Sequence, residues 1–503
     1  MPRLSYKPLY RFLETIPAAL VWGSFIGAIV LSFFKPLIAI YIIILFDLYW
    51  LIKAIYWLIY LFNSYKRFRR DTRIDWLSKL KAEDPISHDG RKSHWQDLYH
   101  IVFLPTFKEP FEVLDATFEG LVEGNYPTEK MMIALGVEEW DKENGLRIAN
   151  LIKEKYANKF YQFWITVHPK NLSGEQKGKG SNNVFSAKHA KTEIDKLGIP
   201  YERILVSNFD IDSVVHKEYF SLLTYKFLTH QKPHNTSYQP VALFNNNIWK
   251  SNPFTRTISN GTTFWLLTDL SRPDRLFTFS SHSMSWKTLV EVGFWEPDLV
   301  TEDSRIFLQC FIHYNGDYTV TPMYVPVSMD TVETGTFLGS IAAVYKQQRR
   351  WAWGIEHFPY MVWHFFGNKK ISFMKKFKYF FNITEGMYSW ATAPILIILL
   401  GRLPLYFADR STEQTVIAQN APIVLDWLLT TALVGLFATA VLSIIFLPPI
   451  PKGESKHRYL WMFLQWALFP VNMILFGSIP AIDAQTRLAT GKYLGFHVTK
   501  KNR

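Results

Sequence analysis

Five short motifs carry the residue types that do chemistry: PTFKE (105–109), EEWD (138–141), DID (210–212), TED (301–303) and QQRRW (347–351). Their carboxylates collect in a chain whose formal net charge is +12. Acids that converge on one edge repel one another unless a cation lies between them. The hard cation that suits carboxylates and phosphates together is Mg²⁺ or Mn²⁺. Asp210 and Asp212, two apart on an extended segment, place one side chain toward a bound nucleotide and the other toward such a metal. KGKGSNN (177–183) opens a helix with two glycines and two lysines, and backbone N–H groups flanked by ammonium groups favour phosphate. In QQRRW and the following AWG, two guanidiniums beside flat indoles suit a phosphate, a stacked sugar, a membrane surface or a solvated helix face. The single cysteine, Cys310, excludes an intrachain disulfide and a multi-thiolate metal site.

The elements that must position these residues alternate. Apolar runs rich in β-branched and aromatic residues at 99–104, 131–137, 160–167 and 203–209 read as strands. Helix-like segments at 111–123, 143–157 and 184–197 lie between them. That alternation predicts a mostly parallel sheet with right-handed crossovers, which binds ligands just beyond the carboxyl ends of its strands. PTFKE, EEWD and DID each follow a strand, so all three reach that edge.

Composition adds a membrane. The chain is 49% hydrophobic and 17% aromatic, and uncharged or weakly charged runs at 14–35, 37–62, 379–400, 423–449 and 459–482 have spanning length. The first two form a retained hairpin, since no small-residue cleavage site follows the first. Asp47 and Glu385 fall inside such runs, where an ionisable residue is a functional candidate. Lys and Arg cluster beside one set of span ends: Arg3, Lys7 and Arg11; Lys66 to Arg73; Lys369 to Lys378; Lys452 to Arg458. The positive-inside bias therefore makes the domain between the second and third spans cytoplasmic. One conflict arises. Five crossings put the C-terminus outside, whereas Arg487, Lys492, Lys500, Lys501 and Arg503 favour the inside, and Pro470 and Pro480 leave room for a broken or re-entrant last segment. The resulting division is a transmembrane hairpin (1–63), a soluble domain (64–354), an amphipathic interface helix region (355–378) and a C-terminal transmembrane block (379–503).

In this order and spacing the motifs resemble the membrane-integrated family 2 glycosyltransferases, the group of cellulose synthases, hyaluronan synthases and related β-glycan synthases. The resemblance covers roughly 99–354, and QQRRW fits the family's Q-x-x-R-W through Gln347, Arg350 and Trp351. It implies a GT-A-type α/β cytoplasmic domain flanked by transmembrane helices, two N-terminal and about three C-terminal. It places Thr106, Glu109 and Asp210 at the nucleotide of a UDP-sugar, Lys179 at the diphosphate, and Asp212 with Asp210 at Mg²⁺ or Mn²⁺. Asp303 would be the general base, with Glu302 near the acceptor, Arg350 at the diphosphate and Trp351 under the acceptor sugar. The chain departs from the family at the second strand, where Glu138 and Glu139 replace an Asp pair; which glutamate meets the base, and whether the base is uracil, are left open. The implied activity is metal-dependent, inverting transfer of a sugar to a growing polysaccharide at the inner membrane. Its partners are then a nucleotide-sugar, a glycan or lipid-linked acceptor and the bilayer, with no nucleic acid. No PilZ-like regulatory domain is expected after the last span. The alternatives are a single-addition enzyme acting on a lipid-linked acceptor, and a transporter or scaffold that only binds. Ser283 and Trp286 are expected either along the acceptor path or in the core.

Overall fold

The computed structural model describes residues 7–88 and 91–495. Arg3, Lys500, Lys501 and Arg503, used above to weigh orientation, lie outside the described residues. Helices α1 (Pro8–Phe34) and α2 (Pro36–Asp71) meet at Lys35. Helix α3 (Trp76–Ala82) and the hairpin β1 (Ile86–His88) and β2 (Arg91–Ser93) then lead into the α/β domain.

There the chain alternates as expected: β3 (Tyr99–Thr106), α4 (Phe111–Val122), β4 (Met131–Glu138), α5 (Lys142–Tyr156), β5 (Gln162–His168), α6 (Lys179–Leu197) and β6 (Ile204–Asn208). The second half is less regular, running β7 (Val214–Val215), α7 (Tyr219–Thr229), β8 (Thr236–Phe244), α8 (Pro253–Leu270), β9 (Ser283–Ser285), α9 (Trp286–Glu291), α10 (Glu302–His313) and β10 (Thr319–Met329). Eight strands form one sheet in the order β5-β4-β3-β6-β9-β8-β10-β7. Parallel pairing sets Val102 against Ile133 and Phe103 against Asn208, whereas β9 runs antiparallel to both neighbours. Strands buried on both faces need continuous apolar runs. β3, β4 and β6 supply them, with Val102, Phe103, Ile133, Leu135 and Val206 all fully enclosed. Burial of each such side chain contributes roughly 1.5–3 kcal/mol. Trp286 belongs to this core, stacked on Phe103, and Ser283 is hydrogen-bonded to Tyr219, so neither reaches a cavity.

Local signals set the helix ends. Asn252 caps α8 by accepting from Thr255 N, with Pro253 at the first helical position. Thr336 caps α11 (Phe337–Ala352) in the same way, and α6 stops at Gly198, whose φ of 66° suits glycine. Beyond α11 a short 3-10 turn leads into α12 (His357–Phe365), which buries Phe358, Tyr360 and Met361, and after a break α13 (Phe373–Ile395) begins.

Among the described residues, five segments are long and apolar enough to cross a membrane: α1, α2, 373–406, 416–445 and 457–490. The third continues from α13 through a π-helical turn into α14 (Leu403–Tyr406), and α15 (Arg410–Glu413) precedes α16 (Val416–Ile445). The fifth is a chain of short helices, α17 (His457–Leu464), α18 (Phe469–Asn472) and α19 (Ile479–Thr490), joined by 3-10 and π turns. It touches the α/β domain near its start, in its middle and near its end. At its start Arg458 donates to Trp249 O, in its middle Asn472 donates to Phe254 O, and near its end Asp483 pairs with Arg349. Just past it, Leu494 O accepts from Gln176 in the α/β domain. Both ends of this segment therefore touch the α/β domain. Within the apolar block, Lys53 and Glu385 form an ion pair that Tyr49 and Ser389 also join, while Asp47 is buried.

Candidate active site

Glutamates sit at the carboxyl ends of β3 and β4. Glu109 accepts from Thr106 Oγ1 at 2.8 Å and from Phe107 N at 2.6 Å, and burial pushes its carboxyl up to about 7. Thr106 is thus the group that holds Glu109, and Glu109 lines the cavity. Glu138 accepts from Asn182 Nδ2 at 2.9 Å and lies 3.1 Å from His168 Nδ1, whose Nε2 faces Glu175 at 2.9 Å. Burial works against a charge on that imidazole, but the two carboxylates prevail and its pKa is raised. Gly136 makes this arrangement possible: a Cβ there would sit 1.9 Å from Asn182 Oδ1. The structure separates the two glutamates of the second strand. Glu138 lines the cavity, while Glu139 turns to the loop and accepts from Lys170 N at 2.9 Å.

Lys179 begins α6 and joins two of the acidic motifs. Its Nζ lies 2.8 Å from Asp210 Oδ1 and 3.0 Å from Asp303 Oδ2. Enclosure opposes its charge, yet Asp210, Asp303 and Glu302 outweigh that and raise its pKa. Asp303, at the start of α10, also accepts from Asn208 Nδ2 at 3.0 Å, and Asn208 is oriented by Asn183 at 2.8 Å. Glu302 is fully enclosed beside Asp303, and burial followed by that neighbouring charge raises its pKa. It packs on Gly180, where a Cβ would meet Glu302 Cγ at 3.2 Å. Glycine at this position lets the N-terminus of α6, a site for anions, approach the TED motif.

Asp210 and Asp212 leave β6 in different environments. Asp210 Oδ2 accepts from Ser280 at 2.9 Å, while the buried Asp212 accepts from Asp330 N at 2.8 Å. Among the described residues no group of three or more His, Cys, Asp or Glu is arranged to hold a metal. Two carboxylates at a phosphate site nevertheless fit Mg²⁺ or Mn²⁺, which takes one or two protein carboxylates and fills its shell with substrate phosphate and water.

These groups share one cavity of 1390 Å³. Glu109, Glu138, Lys179, Asp210, Asp212 and Asp303 line one end, and Gln347, Arg350 and Trp351 line its middle. Trp351 stands between Phe244 and Phe279, with ring centroids at 5.7 and 6.1 Å. Helix α11 is fixed from behind by the Arg349–Asp483 pair at 2.8 Å, and Trp353 turns away to donate to Glu356. The cavity continues past Trp265 and Arg275 to Lys53 and Glu385. Of the supporting residues, Asn208 had a signal in sequence, standing two positions before Asp210 at a strand end. Asn182 falls within KGKGSNN, but its role, like those of His168 and Ser280, depends on contacts from distant parts of the chain.

The description of glycosyl transferase family group 2 matches residues 206–477, more than half of the chain. No curated protein matches it. Among solved structures, the mannosyltransferase PcManGT from Pyrobaculum calidifontis, in complex with GDP-Man and Mn²⁺, is 13% identical. That alignment covers 90% of this chain and 100% of the other, with a TM-score of 0.44. The S. aureus TarS 1–349 fragment with UDP-GlcNAc is 11% identical over 80% of this chain and 94% of its own, with a TM-score of 0.36.

Proposed function

The chain belongs to the family 2 glycosyltransferases, with a GT-A-type α/β domain flanked by apolar helices, and from that premise we propose that it extends a polysaccharide at a membrane. The observation that carries this reading is the single cavity joining Lys179 and Asp303 to Arg350 and Trp351 and continuing between the apolar helices. The donor is a nucleotide diphosphate sugar, which we take to be a UDP-sugar. Its nucleoside lies toward Glu109 and Glu138 and its diphosphate toward Lys179, the α6 N-terminus and Arg350. Arg350 is suited to this because a guanidinium fork matches phosphate oxygens. Asp210 and Asp212 would hold Mg²⁺ or Mn²⁺, which supplies charge neutralisation for the leaving diphosphate when bound.

Trp351 offers a flat face to the acceptor sugar. Asp303 takes the proton of the acceptor hydroxyl as its oxygen bonds to the anomeric carbon, and the bond from that carbon to the diphosphate breaks with its electron pair leaving on the nucleotide. General-base assistance of this kind contributes roughly 10² to 10⁴ in rate. One base and in-line displacement invert the anomeric centre, so an α-linked donor yields a β-linkage. Glu302, enclosed against Gly180 beside Asp303, does not line the cavity. The positive-inside bias supports a cytoplasmic domain at the inner membrane. A panel of UDP- and GDP-sugars given to the purified protein in nanodiscs tests the reading. A product ladder or insoluble polymer supports it, and one lipid-soluble product from every donor replaces it with single addition.

A further inference from the structure

Asp303 and the Arg350–Trp351 pair reach the cavity on separate helices, and one partly buried carboxylate joins the segments that carry them. Glu356 lies in the 3-10 turn between α11 and α12. Its Oε1 accepts from Thr301 Oγ1, and its Oε2 accepts from Trp353 Nε1 at 2.9 Å. Thr301 directly precedes Glu302 and Asp303 at the start of α10, and Trp353 stands two residues after Trp351. Glu356 itself is not among the residues that line the cavity, so it reaches the chemistry only through these neighbours.

A second set of contacts fastens the same two segments. Arg305 of α10 is buried; its Nε donates to His357 Nδ1 at 3.1 Å, and its Nη1 pairs with Glu296 at 3.0 Å. The guanidinium lies 3.8 Å from the centroid of the Tyr360 ring. Burial and then the Arg305 charge hold the His357 pKa well below its ordinary value, so the ring is neutral. Since Nδ1 accepts, the hydrogen is on Nε2, which donates to Ser304 Oγ at 2.8 Å. Residues Glu356, His357 and Tyr360 thus hold Thr301, Ser304 and Arg305. Enclosure raises the Glu356 pKa, although Arg305, Thr301 and Trp353 oppose it. A carboxylate is a costly filler in such surroundings, and an apolar side chain of similar volume often serves stability as well. What the carboxylate adds is two directed acceptor oxygens, one for each segment.

From this geometry we infer that Glu356 is a positioning residue: it fixes Asp303 relative to Arg350 and Trp351, and so sets the distance between the base and the acceptor sugar. The inference rests on the reading of Asp303 as the base and Trp351 as the acceptor platform. A shift of about 1 Å between such groups costs on the order of 10²-fold in rate, so a fastener outside the cavity acts on turnover more than on donor binding. The nucleoside end of the donor site, at Glu109 and Glu138, is built on β3 and β4 and does not depend on it.

The test uses the full-length protein in nanodiscs with a donor sugar that it turns over. It reads kcat, donor KM and melting temperature, together with backbone hydrogen exchange in the absence of donor. Glu356→Ala loses both acceptor oxygens, and kcat should fall about 10²-fold with donor KM unchanged. Glu356→Gln offers its oxygen to Trp353 and its amide N–H to Thr301, and should retain most of the rate. Thr301→Val and Trp353→Phe each remove one bond and should each lower kcat about tenfold. Thr301→Val added to Glu356→Ala should cost nothing more, since both act through one carboxylate. In Glu356→Ala, exchange should quicken at 301–305 and 350–356 and stay unchanged in β3 and β4. A glutamine variant as slow as the alanine variant, a loss in donor KM in place of kcat, or additive losses would each overturn the inference. If Glu356→Ala fails to fold, Thr301→Val decides, and a kcat equal to the parent's there overturns it. Absence of nucleotide release from the parent with every donor would instead defeat the glycosyltransferase reading. The exchange pattern then decides the fastener by itself, and unchanged exchange in both segments overturns it.

Discussion

The ammonium of Lys179 lies 3.0 Å from Oδ2 of Asp303, so the carboxylate proposed to take a proton is held by a cation while the site is at rest. The same ammonium is 2.8 Å from Asp210. A donor diphosphate competes for Lys179 with both acids, and its arrival would release Asp303 toward the acceptor hydroxyl. Binding of donor and readiness of the base are thereby linked through one side chain.

Asp303→Asn tests the base. The amide keeps the shape and still receives the Asn208 hydrogen bond, but it takes no proton. Transfer of radiolabelled sugar is expected to fall by roughly 10² to 10⁴ with nucleotide affinity retained. Turnover near that of the parent would remove Asp303 from the role.

Lys179→Met asks whether the clamp serves the diphosphate. Removing the cation leaves Asp210 and Asp303 facing one another, so thermal stability should drop and Mn²⁺ should restore part of it. Transfer should fall by about 10² to 10³, the loss typical of one preorganised contact to developing charge. A variant with normal stability and turnover would show that the clamp is incidental.

Glu109 links the site to pH. Its folded carboxyl is raised from the ordinary 4.5 to about 7, so between these values the folded chain holds a proton that the unfolded chain has lost. Stability from this group therefore falls as pH rises through that window, by an amount on the order of 3 kcal/mol. Glu109→Gln keeps an oxygen for Thr106 and Phe107 N and carries no charge. Its melting temperature should match the parent at pH 4.5 and exceed it at pH 8; a constant difference across the range would contradict the assignment.

Arg350→Lys and Asp483→Asn separate contact from support. Lysine keeps the charge but loses the planar fork, and a drop of about tenfold or more in turnover is expected if Arg350 holds phosphate. Asp483 touches Arg349 and Arg487, not the proposed substrate, so its amide should cost only a few-fold. Equal losses in the two variants would mean that Arg350 acts through the fold.

The fifth apolar segment makes a topological prediction. Cysteines at Lys492 and Lys142 should be modified from the same side of sealed vesicles by an impermeant maleimide. The native Cys310 is buried and gives little background. Labelling from opposite sides would mean that the segment crosses.

Much of this architecture was legible from local pattern. The continuous apolar runs of β3, β4 and β6 identify buried strands because a strand enclosed on both faces has no polar side to show, and DID is placed at the binding edge because it directly follows one of them. The equal weight of Glu138 and Glu139 in sequence was not resolvable, since a single-residue step along a strand end reverses the direction of the side chain. Only the fold turns Glu138 to the cavity and Glu139 to Lys170.

Length and hydropathy alone determined that this chain carries a sheet-based domain between apolar blocks, and motif order alone determined which acids to inspect, because both depend on residues near one another in sequence. The tertiary structure decided what depends on distant partners. It set Lys179 between Asp210 and Asp303, held Glu138 through Asn182 and His168, and kept 457–490 on the domain. It also joined Thr301 to Trp353 through Glu356. Charge and hydrogen bonding act through space over a few ångströms, and sequence separation carries no information about that distance until the chain has folded.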